Sequence, residues 1–199
     1  DLFQQSRIEA QKRNDDLGEL NSLHLLIDLF LYWDVPEYAN IYATEAISIE
    51  KNSKEKNPMV SAQTYINKGR ALLQLGETDS IPYYTEKARE LCRLLPYNSG
   101  MVDVDLLQGI HFTEKGGDWF HLGIQKLQQV VMQGTATNRA KAYHQLAQTY
   151  LKNGQNNIAE MMLDSMYSLL NHNDSHIYIK LNYKPILNHY LKNKNLQKK

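Results

Sequence analysis

The chain has 199 residues, of which 42% are hydrophobic and 22% charged, a composition that argues against wholesale disorder. Basic and acidic residues number 22 each, so the net charge is zero and the simplest electrostatic case for a nucleic-acid or anionic-membrane binder is excluded. The single cysteine, Cys92, excludes an intrachain disulfide, and no apolar run of about 18 residues predicts a membrane span. The compartment, cytoplasmic or periplasmic, stays open.

The predicted secondary structure is helical throughout. Apolar residues return every three to four positions, as at Leu20, Leu23 and Ile27, and no long alternation of period two is present. We therefore predict an all-α fold. In chain order the predicted helices lie near residues 2–14, 20–33, 36–51, 59–75, 80–95, 101–115, 119–133, 137–153, 156–171 and 177–192.

Short polar segments mark where these helices begin and end. Asp34 before Pro36, and Asp79-Ser80 before Pro82, are predicted N-caps followed by a proline in the first turn. The predicted stops are Gly76, Pro96, Gly116-Gly117, Gly134 and Gly154.

The helices form pairs, and the clearest pair lies between Ala140 and Asn173. Its characteristic residues are, in order, Tyr143, Leu146, Ala147, Tyr150, Gly154, Ala159 and Leu163. This order and spacing resembles the tetratricopeptide repeat, in which small residues let paired helices approach and large ones fill the groove between pairs. The resemblance implies a right-handed α-α superhelix, a solenoid of antiparallel helix pairs.

The same pattern returns in weaker copies along the chain. The predicted repeats lie near residues 20–61, 62–101, 102–139 and 140–179, with partial repeats at 1–19 and 180–199. Their period of about 40 residues resembles longer, bacterial-type arrays of this family. We interpret residues 1–199 as one solenoid whose unfinished ends favour a segment of a longer protein, and a generic helical bundle remains the alternative.

The resemblance also implies a binding face, because the first helix of each pair lines the concave side of such arrays. Repeat by repeat, the corresponding positions hold Asn21, His24, Asp28 and Tyr32; Gln63, Asn67, Arg70 and Gln74; Asp103, Leu107 and Glu114; Lys141, His144, Gln145, Gln148 and Lys152; and Lys184, Asn188 and Lys192. The predicted peptide-binding residues are Asn67, Arg70, Gln74, His144, Gln148, Lys152, Lys184 and Asn188.

One subclass of the family holds a peptide's terminal carboxylate with lysine, asparagine and arginine side chains from three successive repeats. Asn67 occupies one of those positions, but Asp103 and Leu107 stand where basic residues are required. Carboxylate binding of that type is therefore not predicted.

Signals for catalysis are weak. The chain has no phosphate-binding glycine loop, no nucleophile elbow and no metalloprotease motif, and Cys92 has no histidine near it in sequence. His172, Asp174 and His176 form the only compact histidine and aspartate cluster, in a predicted loop where polar residues are expected anyway. We predict no enzyme activity, no cofactor and no metal.

Charge is unevenly distributed along the chain. Residues 1–50 carry a net charge of −7, and residues 139–199 carry +6. This asymmetry could steer a partner or stack copies head to tail, and solvated helix faces with a lysine-rich tail are the alternative explanation.

We predict a non-enzymatic scaffold that binds a protein or peptide along its concave face, without direct nucleic-acid binding. The alternative is a sensory or regulatory domain of a bacterial signalling protein or transcriptional regulator. Self-association through the ends of the solenoid is a further interpretation, because a groove and a dimer interface are not distinguished by sequence.

Overall fold

The computed structural model describes residues 2–96 and 100–172, and this part of the chain is all-helical, without a strand. Its helices are α1 (Leu2–Arg13), α2 (Asp16–Tyr32), α3 (Pro36–Asn52), α4 (Pro58–Leu75), α5 (Ile81–Cys92), α6 (Met101–Lys115), α7 (Phe120–Gln133), α8 (Ala136–Lys152) and α9 (Asn156–His172). Short 3-10 turns, Thr78–Ser80 and Gly117–Trp119, precede α5 and α7. The predicted all-α class is confirmed for these residues, and the helix predicted at 177–192 lies outside them.

Adjacent helices pack in pairs within each of two compact units, residues 1–111 and 112–199. In the first unit each of α1 to α4 packs against the helix that follows it, and α2 also packs against α4. In the second unit α7 packs against α8, and α8 against α9. The predicted packing of neighbouring helices into pairs is confirmed.

One type of backbone turn ends α2, α4 and α8. After α2, the Val35 N–H donates to the Phe30 carbonyl at 2.9 Å, and Asp34 has a left-handed φ of 58°. This is a Schellman turn, which satisfies carbonyls that the end of a helix leaves unpaired. Gly76 and Gly154 hold the corresponding position after α4 and α8, with φ of 77° and 71°. The stops predicted at these two glycines are confirmed.

The prediction that Asp34 caps α3 is wrong. Val35 is the N-cap of α3 and makes no side-chain capping hydrogen bond. Asp34 closes the preceding helix instead, because aspartate is among the few non-glycine residues that readily adopt the left-handed conformation. Pro36 does lie in the first turn of α3, as predicted.

The start of α5 and the start of α2 also differ from prediction. Ser80 precedes α5 without a capping side-chain bond, since the 3-10 turn leads straight into the helix. The α2 helix begins at Asp16 and not near residue 20, because the Asp15 carboxylate accepts a hydrogen bond from the Gly18 N–H at 2.8 Å. The α5 helix ends at Cys92, before the predicted stop at Pro96.

Small residues hold the first pairs of helices together. Ala39, Ala43 and Ala46 of α3 are fully buried and lie against α2, where Leu23 and Ile27 are fully buried as well. Alanines at this spacing form a flat helix face, so the larger side chains of α2 can reach it closely. Burial of each of these two large side chains contributes about 2 kcal/mol to folding.

Residues of α4, α5 and the first part of α6 share a second core within the first compact unit. Ile66, Cys92 and Val104, one from each helix, are buried in one cluster. Leu107 is buried as well, against Gly69, so its predicted place on an exposed binding face is wrong. The cause is Gly69, which has no side chain and leaves a hollow that the leucine fills.

The α1 helix is attached to α2 and α3 mainly through polar contacts. Ala10 is its only buried residue. The Arg7 guanidinium pairs with both Glu19 and Glu45, the former at 3.2 Å. The Gln4 amide also donates to the Tyr42 hydroxyl at 2.8 Å.

In the second compact unit, α8 and α9 meet along the residues that carry the family resemblance. Ala147 and Ala159 are fully buried, and so is Met166, which stands where the family pattern has an alanine. Leu163 joins the same core, with Tyr143 packed against its edge. None of the helices in the described part of the chain is long and apolar enough to cross a bilayer.

Candidate peptide-binding face

The polar face of α2 and α4 is the best-defined candidate site. These helices are the first members of the first two predicted repeats, and they lie side by side over buried Ile27 and Ala71. Three sets of hydrogen bonds cross from one helix, or the turn after it, to the other. We call the side chains that make them, together with Gln63 and Asn67 of α4, which bond to each other and to Arg70, the polar row. Its members are His24, Asp28, Asp34, Gln63, Thr64, Asn67, Arg70 and Gln74.

The buried end of the polar row is a neutral histidine. His24 Nε2 lies 2.8 Å from the Thr64 hydroxyl, and both side chains are buried. Burial lowers the pKa of His24 to about 4, although nearby Asp28 acts in the opposite direction. The imidazole is therefore uncharged at neutral pH and holds the two helices in register.

The middle of the polar row is an ion pair over a buried amide. Arg70 Nη1 donates to Asp28 Oδ1 at 2.5 Å and to Asn67 Oδ1 at 2.9 Å. The Gln63 amide donates to the same Asn67 oxygen at 2.8 Å. Asn67 is fully buried, and no described residue accepts a hydrogen bond from its Nδ2. Arg70 and Asp28 remain partly open to solvent.

The third set of bonds reaches the turn after α2. Gln74 Nε2 donates to Asp34 Oδ1 at 2.5 Å, and the Leu31 carbonyl lies 3.4 Å from the same nitrogen. Gln74 and Asp34 are both exposed. Asp34, whose backbone is left-handed, thus accepts a hydrogen bond from α4. It forms the exposed end of the polar row.

On α8, in the second compact unit, the predicted residues are His144, Gln148 and Lys152, which are spaced four residues apart along the helix. Burial lowers the pKa of His144, whereas Gln148 and Lys152 are exposed. Burial raises the pKa of Glu114, and the charge of Lys152 opposes that rise, so these two side chains lie near each other. Gln145 is buried and donates to the Thr113 hydroxyl at 3.2 Å.

Comparisons with protein-family models, with curated proteins and with solved structures found no match to this chain. Function must therefore be inferred from the side chains themselves. Within residues 2–96 and 100–172, no group of three or more histidine, cysteine, aspartate or glutamate side chains could hold a metal ion.

The predicted site residues divide into three groups. The structure brings Asn67, Arg70 and Gln74 together on α4, and Asn67 lies beneath the surface and not on it. His144, Gln148 and Lys152 share α8 in the second compact unit. Lys184 and Asn188 lie outside the described residues, as do the side chains of the His172, Asp174 and His176 cluster.

Five members of the polar row, namely His24, Asp28, Asp34, Gln63 and Thr64, were not among the predicted peptide-binding residues. Of these five, Asp34 and Thr64 were not among the predicted concave-face positions either. The signal that could have found them is the spacing of the repeats. His24 and Thr64 are 40 residues apart, Asp28 and Arg70 are 42 apart, and Asp34 and Gln74 are 40 apart. The first two predicted repeats begin 42 residues apart, at 20 and 62. Polar residues one period apart are thus hydrogen-bonded partners.

Proposed function

We propose that this chain is a non-enzymatic, tetratricopeptide-like interaction module that binds an extended peptide along the first helices of its pairs. The observation that carries the proposal is the polar row, in which side chains one repeat period apart are joined across α2 and α4. A solenoid of such pairs would extend the same arrangement from repeat to repeat.

The chemistry of the polar row suits a peptide backbone. An extended peptide presents N–H and C=O groups at regular intervals, and amide and guanidinium side chains can donate to or accept from them. Arg70 uses only Nη1 for Asp28 and Asn67, and no described residue accepts from its Nη2 or Nε. These donors point to Arg70 as the main contact on α4.

The polar row is also fixed in place before a ligand arrives. Asn67 Oδ1 accepts from both Gln63 and Arg70, so the position of the guanidinium is set by a fully buried side chain. A pre-organised side chain loses little conformational entropy when it binds, and this increases affinity. Gln148 and Lys152 are the corresponding exposed candidates on α8.

The test begins with a peptide selected on the wild-type protein from a displayed random library. Its affinity is then measured for Arg70→Ala and Gln148→Ala by fluorescence anisotropy. We expect Arg70→Ala to weaken the binding of a peptide held by the polar row about tenfold, and Gln148→Ala to weaken the binding of a peptide held on α8 about tenfold, since each removes a hydrogen bond to the peptide.

Two matched variants control for the loss of any arginine or glutamine. Arg93→Ala removes an exposed arginine directly after α5, and Gln129→Ala removes an exposed glutamine of α7. Both should bind the selected peptide as the wild type does. Unchanged affinity in Arg70→Ala and Gln148→Ala would show that the peptide binds elsewhere.

A further inference from the structure

A second exposed surface lies where α2 turns into α3. Phe30 stacks on Tyr38 at a centroid distance of 5.3 Å, and the rings of Phe30 and Trp33 lie nearly perpendicular to each other at 6.0 Å. Trp33 is 57% exposed and Tyr38 is 53% exposed, and Ile41, one turn further along α3, is 60% exposed. We call Phe30, Trp33, Tyr38 and Ile41 the aromatic patch.

The rings of the aromatic patch are held in place from below. Phe30 packs against the buried core of α2 and α3, and it also stacks on Tyr42 at 5.5 Å. The Trp33 backbone N–H donates to the Leu29 carbonyl at 3.0 Å, within the turn that ends α2. Tryptophan and tyrosine are enriched among the residues that dominate binding energy at interfaces.

The surroundings of the aromatic patch are acidic. Residues 14–50 contain eight aspartates and glutamates but no lysine or arginine. Asp34 follows Trp33 directly, and Glu37 precedes Tyr38. Glu37 is exposed, and no described cationic side chain pairs with it. The patch thus offers aromatic faces and carboxylates, and the one basic side chain of its own two helices, Lys51, lies in the last turn of α3, away from the turn that carries the patch.

We propose that the aromatic patch, with the carboxylates of Asp34 and Glu37, binds an arginine-bearing segment of a partner protein. A guanidinium group stacks flat on the face of an aromatic ring while its N–H groups donate to a neighbouring carboxylate. Arginine is preferred over lysine because its guanidinium is planar and more weakly hydrated than an ammonium group. Charge complementarity selects this partner, since the surface repels acidic segments.

The chain contains a natural comparison for this site. Trp119 is also exposed and stacks on Phe112 at 5.0 Å, but the Lys115 ammonium already lies 4.8 Å from the centre of its ring. The face of Trp119 is therefore occupied by a cation from the same chain, whereas no such contact is present at Trp33 among the described residues. Trp119→Ala is accordingly the matched control for Trp33→Ala.

The experiment is a calorimetric titration of the whole chain with a short synthetic peptide of alternating arginine and serine. Lysine–serine and glutamate–serine peptides of the same length are compared with it. We expect the arginine peptide to bind most tightly and the glutamate peptide not to bind. Trp33→Ala and Glu37→Gln should each weaken arginine-peptide binding about tenfold, and Trp119→Ala should leave it unchanged.

Several outcomes would overturn the proposal. One is the absence of arginine-peptide binding, and another is equal affinity in the wild type, Trp33→Ala and Glu37→Gln, which would indicate diffuse charge attraction alone. A third is a wild-type dimer in sedimentation analysis that Trp33→Ala dissociates, because the patch would then be covered by a second copy. Glu37→Gln keeps the test valid if Trp33→Ala fails to fold.

This proposal shares Asp34 with the polar row, where it accepts a hydrogen bond from Gln74, but the experiments separate it from the proposed function. Arg70→Ala should leave binding of the arginine peptide unchanged, because it removes none of the rings or carboxylates of the patch. Loss of the selected peptide in Arg70→Ala and loss of the arginine peptide in Trp33→Ala are therefore separate results.

Discussion

Leu107 of α6 lies directly over Gly69 of α4, so closely that a Cβ added at Gly69 would stand 2.5 Å from Leu107 Cδ2. Leu107 is buried together with Leu72 and Ile81 and has little room to withdraw. Gly69 lies in the interior of a helix, where glycine costs about 1 kcal/mol relative to alanine. The close approach of Leu107 explains why a glycine is present there.

We expect Gly69→Ala to lower the free energy of unfolding by about 1 kcal/mol. The gain in helix propensity is about 1 kcal/mol, and overpacking a well-filled core costs about 2 kcal/mol, so the clash outweighs the gain. Urea unfolding followed by circular dichroism measures the difference.

The same substitution in a Leu107→Ala background is its control. With the leucine methyl groups removed, Gly69→Ala should raise the free energy of unfolding by about 1 kcal/mol, because only the propensity gain remains. A loss of stability in both backgrounds would mean that the contact with Leu107 is not its cause.

The stability of the first compact unit should fall in mild acid because of His24. The pKa of His24 is about 4 in the folded protein and is ordinarily 6.5, so the unfolded chain takes up a proton first as the pH falls. The loss begins near pH 6.5 and is complete below pH 4, where it reaches about 3 kcal/mol.

The measurement is urea unfolding of the wild type and of His24→Gln across this pH range. Glutamine can hydrogen-bond to Thr64 but takes up no proton there, so the difference between the two proteins isolates His24 from all other titrating groups. From pH 6.5 to pH 4 the wild type should lose about 3 kcal/mol of stability relative to His24→Gln. A constant difference would rule out this histidine as the origin of any acid sensitivity.

We expect that Lys68 can be replaced by methionine without loss of folding stability. Its ammonium is buried against α3, donating to Asn40 at 2.5 Å and to Thr44 at 2.7 Å, and burial lowers its pKa. No carboxylate among the described residues forms an ion pair with it. Burying a charge that no opposite charge compensates is costly, and an apolar chain of similar length avoids that cost.

We therefore expect Lys68→Met to raise the free energy of unfolding by about 1 kcal/mol. Lys68→Ala should lower it by about 2 kcal/mol, because it also removes the aliphatic stem that packs between α3 and α4. Thermal unfolding of the three proteins distinguishes these effects. Destabilisation by Lys68→Met as large as by Lys68→Ala would show that the two hydrogen bonds outweigh the cost of burying the charge.

Cys92 should resist modification in the folded protein. Its thiol is fully buried, and burial raises its pKa, so both access and thiolate formation are reduced. Labelling by an aromatic disulfide reagent should be at least about a thousandfold slower without urea than in it, because reaction requires local or global unfolding. In Cys92→Ala/Leu94→Cys, where Leu94 is 71% exposed, labelling should be fast in both conditions.

The sequence allows the helices to be predicted closely, but not the role of every boundary residue. Aspartate before Pro36 fits an N-cap, and aspartate also tolerates the left-handed backbone that ends a helix. The outcome at Asp34 is decided by the Val35–Phe30 backbone bond and by a hydrogen bond from Gln74, which is 40 residues away. No local pattern contains that information.

The candidate site could likewise be predicted only in part. The repeat period indicates which polar residues are partners, whereas packing determines how deeply each of them is buried. Polar partners across α2 and α4 can be derived from the repeat period, as His24 and Thr64 illustrate. The burial of each residue cannot be derived from the period. Asn67 is buried because Gln63 and Arg70, from the same helix, cover it. Leu107 was misplaced for a related reason, since its burial depends on a missing side chain at Gly69.

The stretch without lysine or arginine between residues 14 and 50 has an analytical consequence. Trypsin cuts only after those two residue types, so a complete digest leaves the turn between α2 and α3 on a single peptide running from Asn14 to Lys51. The α4 helix, by contrast, is cut after both Lys68 and Arg70. Mass spectrometry can therefore follow the aromatic patch as one fragment, which includes α2 and all of α3 except its last residue.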